Sequence, residues 1–326
     1  LAGTQTIASG ARIEVIGGTT RLASGATVSG AGPLRLTGGV LAMDDGMSTG
    51  ITLQQSGGTL SGAGSNTLSG RYEWTGGTVG GSGTLTVSGA LQISGSGSFG
   101  LDGRSLRHTN AAGSSALYKT GGYLYVSNGA TFTNAAGAAL YIDTAGGNSG
   151  VWYGGTAGSF VNDGLLVKQG NGTFNFWNPV RLSNTGTLTV AQGTLFADNF
   201  TSNSGTLHTL SGAVLNTGNT ALTNTGTVSG HGTLVIGGTG LLNRGIVAPG
   251  GSNEDGTLRI TGHYTQAADG TLQIERGTPG TDALVVSGTA TLGGTLTVSS
   301  LSGYTPTAVQ SDIVSAGTLT GSFATV

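Results

Sequence analysis

Asn184-Thr-Gly-Thr-Leu-Thr-Val-Ala-Gln-Gly-Thr-Leu195 is the stretch on which the reading of the chain turns. Asn184 and Gly186 make a corner, and Gly193 makes the next. Between them Leu188 and Val190 project to one side while Thr187 and Thr189 project to the other, the period-two signature of a strand. The same unit recurs outward in both directions. Gly-Thr-Leu occurs ten times between Gly58 and Gly317, and an Asn-x-Gly corner stands at Asn162, Asn184, Asn203, Asn216, Asn224 and Asn243. Several corners lie about 20 residues apart, the spacing of one rung of a solenoid.

The other strands repeat the pattern. Leu85/Val87, Leu234/Ile236, Leu258/Ile260, Leu272/Ile274 and Leu296/Val298 pair two apart, with Thr, Ser or Arg between them. Thr is stiff at its first side-chain torsion and suits an outward strand position. Gly and Asn at corners are read as residues that enter the left-handed conformation cheaply. No apolar helical periodicity runs for ten residues. A barrel or sandwich would need hairpin turns. Single-residue corners, with about three short strands to each interval, favour an all-β parallel β-helix (β-solenoid) of about 20 residues per rung. Its stacked rungs would align apolar columns inside and Asn ladders at corners.

Composition agrees. Of 326 residues 65 are Gly, 8% are charged and none is Cys. So little apolar residue cannot fill a thick layered core, but it suffices for a thin one. The formal net charge of −2 leaves no footprint for nucleic acid or anionic lipid. No apolar run reaches the roughly 20 residues of a membrane span. Without Cys there is neither a disulfide nor a thiolate metal site. Leu1 opens without the charged start and apolar core of a leader, so the chain reads as a mature or excised segment.

From Gly245 the order is Gly-Ile-Val-Ala-Pro-Gly-Gly, Gly256-Thr-Leu-Arg-Ile-Thr-Gly-His-Tyr-Thr-Gln, Gly270-Thr-Leu-Gln-Ile-Glu and Asp282-Ala-Leu-Val-Val-Ser-Gly-Thr-Ala-Thr-Leu-Gly-Gly-Thr-Leu-Thr-Val. Tyr304-Thr-Pro and Gly317-Thr-Leu-Thr-Gly-Ser-Phe-Ala-Thr-Val follow. This resembles the last part of bacterial autotransporter passengers and large filamentous adhesins. The resemblance divides the chain into a β-helix body at 1–245 and a passenger-like segment at 246–326, continuous with it. It implies a right-handed helix, exported to the bacterial cell surface, that serves as an adhesin stalk or fibre subunit. No translocator barrel follows Val326 and no two-partner-secretion domain is recognisable at the start, so the route of export stays open.

The sites follow from what the repeat does not explain. Gly95-Ser-Gly-Ser-Phe-Gly100 matches a dinucleotide fingerprint by letter, but Leu101-Asp-Gly is another turn where a helix should open. Asp45, Asp102, Asp163, Asp255 and Asp269 each precede Gly, as turn residues do. Glycosidase chemistry needs two carboxyls about one bond, and neither Asp44/Asp45 nor Glu254/Asp255 sits in an aromatic stretch. A β-helical polysaccharide-degrading enzyme is therefore the second reading. His108, His208, His231 and His263 show no metal-ligand spacing, so no metal and no cofactor is expected. Irregularly spaced outward Thr pairs argue against an ice-binding face. Residues 117–200 hold thirteen of the nineteen aromatics. Phe is expected inside and Tyr and Trp at the wet edge. Trp152 and Tyr153, flanked by Gly150 and Gly154, are the expected contact with a host or surface glycan or protein. Trp177, within a Phe-rich run, is expected in the core. The open rungs at both ends are expected to be covered by more of the same chain, or else by another copy stacked head to tail into fibres.

Overall fold

The computed structural model describes residues 1–110, 116–144, 148–277, 280–301, 304 and 312–326, with the backbone alone at 116–120 and 148. Thr305-Pro306 of the passenger-like ending and the side chain of Tyr118 lie outside this description. The described chain is all-β, without a helix, and its parallel strands stack as a β-solenoid of about 13 turns with about 22 residues per turn. It forms two compact units. One comprises Leu1–Val167 with Gly172–Leu182, the other Lys168–Asn171 with Ser183–Val326.

Each turn has three short strands, so a strand pairs with the one three places further on. In the second unit Thr187–Val190, Thr194–Ala197 and Ser202–Asn203 form one turn. Thr206–Thr209, Val214–Asn216 and Leu222–Asn224 form the next. Parallel pairing sets Leu188 on Leu207, Leu195 on Leu215 and Asn203 on Asn224. The first unit repeats the scheme, with Leu34 on Leu53, Leu41 on Leu60 and Leu68 on Thr49. Apolar columns therefore run through most turns, and alternation sends Leu188 and Val190 wholly inside while Thr187 and Thr189 stay half-buried. Each buried Leu contributes roughly 1.5–3 kcal/mol by leaving water.

Turn length departs from the expected 20 because corners take insertions. Nineteen residues separate the stacked Asn184 and Asn203, but 28 separate Asn134 and Asn162. The aromatic stretch accommodates the wider turns with Phe rings inside. Phe132 and Phe160 stack at 4.8 Å and 4°, and Phe176 meets Phe160 edge-on at 5.0 Å.

The Asn corners form a ladder, with one exception. In the second unit Asn184 Nδ2 donates to Asn203 Oδ1 at 2.7 Å, Asn203 to Asn224 at 2.8 Å and Asn224 to Asn243 at 2.9 Å. Asn243 passes the chain to Gln266 Oε1 at 3.3 Å. Each of these amides also reaches backbone carbonyls, as Asn203 does at Gly205 and Thr227. Such bonding is what allows a polar side chain to be buried completely. In the first unit Asn134 Nδ2 donates to Asn162 Oδ1, while His108 Nδ1 lies 3.0 Å from Asn134 Oδ1. Asn216 faces outward instead and accepts from the Gly218 amide.

Gly193 and Gly218 take the expected left-handed conformation, with φ of 63° and 58°, but at the ladder corners the reason for glycine differs. Gly205, Gly226 and Gly245 do not have positive φ. A Cβ at Gly226 would lie 2.1 Å from Gly205 O, and one at Gly245 2.1 Å from Gly226 O. The carbonyl of the turn below occupies the side-chain position. The ladder asparagines are ordinary strand residues. Only Asn128 and Asn253 among described non-glycine residues take positive φ.

Candidate functional site

The strands Tyr123–Ser127, Asn148–Trp152 and Thr173–Phe176 lie side by side in the first unit. Leu124 pairs with Val151 and Val151 with Phe176, all three buried in one inward column. The neighbouring residues must then point out. Tyr125 pairs with Trp152, and the Trp177 amide donates to Val151 O at 3.1 Å, carrying the outer column one turn further. Trp177 is thus half-buried on the outside, which corrects its expected place in the core. It follows the inward Phe176 by one residue, and the period of two overrides its Phe-rich neighbourhood.

Trp152 and Tyr153 are also half-buried. Their rings are nearly parallel, 5° apart with centroids at 6.1 Å. Trp152 further meets Trp177 at 4.9 Å and Tyr123 edge-on at 6.0 Å. The result is a continuous aromatic patch. Isolated exposed aromatics are unremarkable, whereas a contiguous group is a candidate contact surface.

Beside the patch the outer column continues downward as Tyr125, Gly100 and Thr78. A Cβ at Gly100 would lie 2.8 Å from Thr78 Oγ1, so the Thr78 side chain already takes up that space, and a depression lies beside Tyr125. The depression is a shallow groove of about 390 Å³, lined among others by Thr78, Asp102, Tyr125, Asn128 and Gly154. Asn128 Nδ2 donates to Asp102 Oδ1 at 2.5 Å, and the Gly154 amide donates to Ser127 Oγ at 2.8 Å. The polar wall is therefore held in place before any ligand arrives.

A second groove, of about 370 Å³, lies in the other unit and is lined by His208, Ser229, Gln273 and Glu275 among others. His208 Nδ1 and Ser229 Oγ share a hydrogen bond of 2.8 Å. Burial lowers the His208 pKa, with His231 adding to the effect and Glu254 opposing it. Glu275 accepts from the Asn253 amide at 2.6 Å. Asp282 lies behind it, its carboxylate taken by the Gly256 and Glu275 amides, and burial pushes its pKa up to about 6. Of the carboxylates near this groove, Glu275 is the one that lines it.

No protein-family model, curated protein or solved structure matches this chain. Among the described residues no group of three or more His, Asp or Glu could hold a metal ion, and no helix is long and apolar enough to cross a membrane. Trp152 and Tyr153 lie together at the patch. Sequence reasoning missed Tyr125, Trp177, Asp102 and Asn128 as their companions. The alternation of Tyr123-Leu-Tyr-Val sets Tyr123 and Tyr125 on one face, but nothing local places Asp102 or Asn128 beside them.

Proposed function

We propose that this chain is a structural and adhesive protein of the bacterial cell exterior, a stalk or fibre subunit of the adhesin type, and not an enzyme. The single observation that carries this reading is the outward aromatic patch of Trp152, Tyr153 and Trp177, held on strands paired to their neighbours. Glycine-rich rungs with Thr outside and aliphatic columns inside support a scaffold role, and the passenger-like order of elements after Gly245 supports export. Replacing Trp152, Tyr153 and Trp177 together by Ala should abolish attachment to host or surface material while the β-sheet circular dichroism stays unchanged. Undiminished attachment would overturn the adhesive reading.

The polysaccharide-degrading reading draws on the second groove, with its His208–Ser229 pair and Glu275. Glycoside cleavage by paired carboxylates needs a second carboxyl facing the same bond, and Asp282 is turned to the backbone. Release of reducing or unsaturated ends from polysaccharide, lost in Glu275→Gln, would favour the enzyme and sink the non-catalytic reading.

Self-association belongs to the same proposal. Val298 stacks on the buried Ile274, and Leu319 on the buried Ala290, yet they are 46% and 51% exposed. Further solenoid turns, from adjoining chain or from another copy, would cover these inward columns.

A further inference from the structure

The aromatic patch and its adjoining groove differ in chemistry, and together they specify a ligand class. We propose that the first unit binds a neutral, extended pyranose chain, laid across the stacked strands from Trp177 over Trp152 and Tyr125 into the groove at Asp102 and Asn128. This rests on the adhesive reading above and names its ligand.

Three observations carry it. First, backbone pairing sets Tyr125, Trp152 and the residue above it, Trp177, in one outer column at the strand spacing, ~4.8 Å, with the Trp152 and Trp177 rings 4.9 Å apart and tilted by 58°. An extended β-1,4-linked chain repeats its sugar rings on a similar length scale. The apolar C–H faces of equatorially substituted pyranoses stack on aromatic rings, whose faces carry negative charge density. Second, the column ends in a shallow groove rather than a wall, with Gly100 and Gly154 in its lining. Asp102, Asn128 and Thr78 there offer acceptors and donors to hydroxyl groups, in an arrangement the Asn128–Asp102 hydrogen bond already fixes. Third, the described lining of the groove includes the carboxylate of Asp102 and no Lys or Arg. Such a site accepts hydroxyl protons and repels uronic acids and sulfated sugars.

A peptide fits less well. Strand addition needs an open edge with unpaired amides, but the strands of this face are paired on both sides by their neighbours above and below. A flexible apolar partner would leave Asp102 and Asn128 without use.

Trp74 is wholly buried, so quenchable tryptophan emission comes from Trp152 and Trp177. The whole chain is titrated with cellohexaose, with emission and acrylamide quenching as readouts, and with oligogalacturonate of equal length as the acidic probe. The expected result is a saturable blue shift and protection from quenching by cellohexaose and neither by oligogalacturonate. Trp152→Ala and Trp177→Ala should each weaken cellohexaose binding about tenfold or more, and Trp152→Phe by less, at an unchanged melting midpoint. Asp102→Asn, read by calorimetry, should weaken cellohexaose binding and relieve the exclusion of oligogalacturonate. No saturation at millimolar cellohexaose, equal binding of both probes, or unaltered binding by the Trp152→Ala protein would each overturn the proposal. Loss of attachment in the triple aromatic variant with no competition by cellohexaose would remove the neutral-glycan ligand and leave the adhesive reading standing. Cellohexaose binding in a protein whose attachment survives the triple substitution would do the reverse.

Discussion

A buried amide in this protein is satisfied from the turn above and the turn below, and therefore cannot be replaced alone. Asn203→Ala removes the acceptor of Asn184 and the donor to Asn224, Gly205 O and Thr227 O. Each stranded group costs roughly 1–3 kcal/mol, so the urea midpoint should fall steeply, whereas Asn216→Ala, outside the ladder, should barely move it. His108 heads the corresponding row of the first unit, and its Nε2 is buried without a partner. Burial holds its pKa below the ordinary 6.5, against the opposing effect of Asn134. The unfolded chain therefore takes the proton first. The stability that neutral His108 contributes is complete above pH 6.5 and is lost as pH falls below it. His108→Asn should continue the Asn row and remove this acid sensitivity, as measured by hydrogen exchange at Leu106 and Phe132 between pH 7 and pH 5.

Strands and corners are constrained by close stacking, and the kind of glycine matters. Gly226 has an ordinary φ but no room, its side-chain position lying 2.1 Å from a carbonyl oxygen. Gly212 has φ +74 and nothing within 4 Å. Gly212→Ala should cost about 1–2 kcal/mol, the left-handed penalty alone. Gly226→Ala must push two turns apart and break ladder hydrogen bonds, so its loss should exceed that of Gly212→Ala severalfold in thermal denaturation. Equal losses would mean that backbone conformation, and not stacking, selects glycine at the Asn-x-Gly corners. Lys168 and Arg104 are buried charged residues, and Arg104 Nε and Nη1 have no hydrogen-bond partner among the described residues. Lys168 Nζ donates to the carbonyls of Gln169, Gly170 and Gln192, and Arg104 donates to Asn66 while burial lowers its pKa to about 10.

For the whole molecule, the test of scaffold character is association. Val298 and Leu319 stand in inward columns but remain half-exposed. Sedimentation and electron microscopy should show concentration-dependent oligomers or thin fibres. Val298→Asp with Leu319→Asp should leave monomers of unchanged circular dichroism. A wild-type protein that stays monomeric at all concentrations would remove self-association from the proposed function.

The fold was legible because a solenoid is a local pattern repeated. Leu188/Val190 against Thr187/Thr189 fixes inside and outside within four residues, and Asn-x-Gly recurring near 20 residues implies that one turn lies on another. The same alternation sets Trp177 opposite Phe174 and Phe176, and so outside; its Phe-rich neighbourhood is the weaker guide. What needed the tertiary structure was whatever depends on which turn sits beside which. Insertions of several residues at corners change the register, so Asp102, Asn128 and Gly154 meet at one groove although sequence separates them widely. The ladder membership of Asn203, the exclusion of Asn216 and the crowding at Gly226 depend likewise on the neighbouring turn. Periodicity along the chain determines which way a side chain points, and stacking between turns decides what it touches.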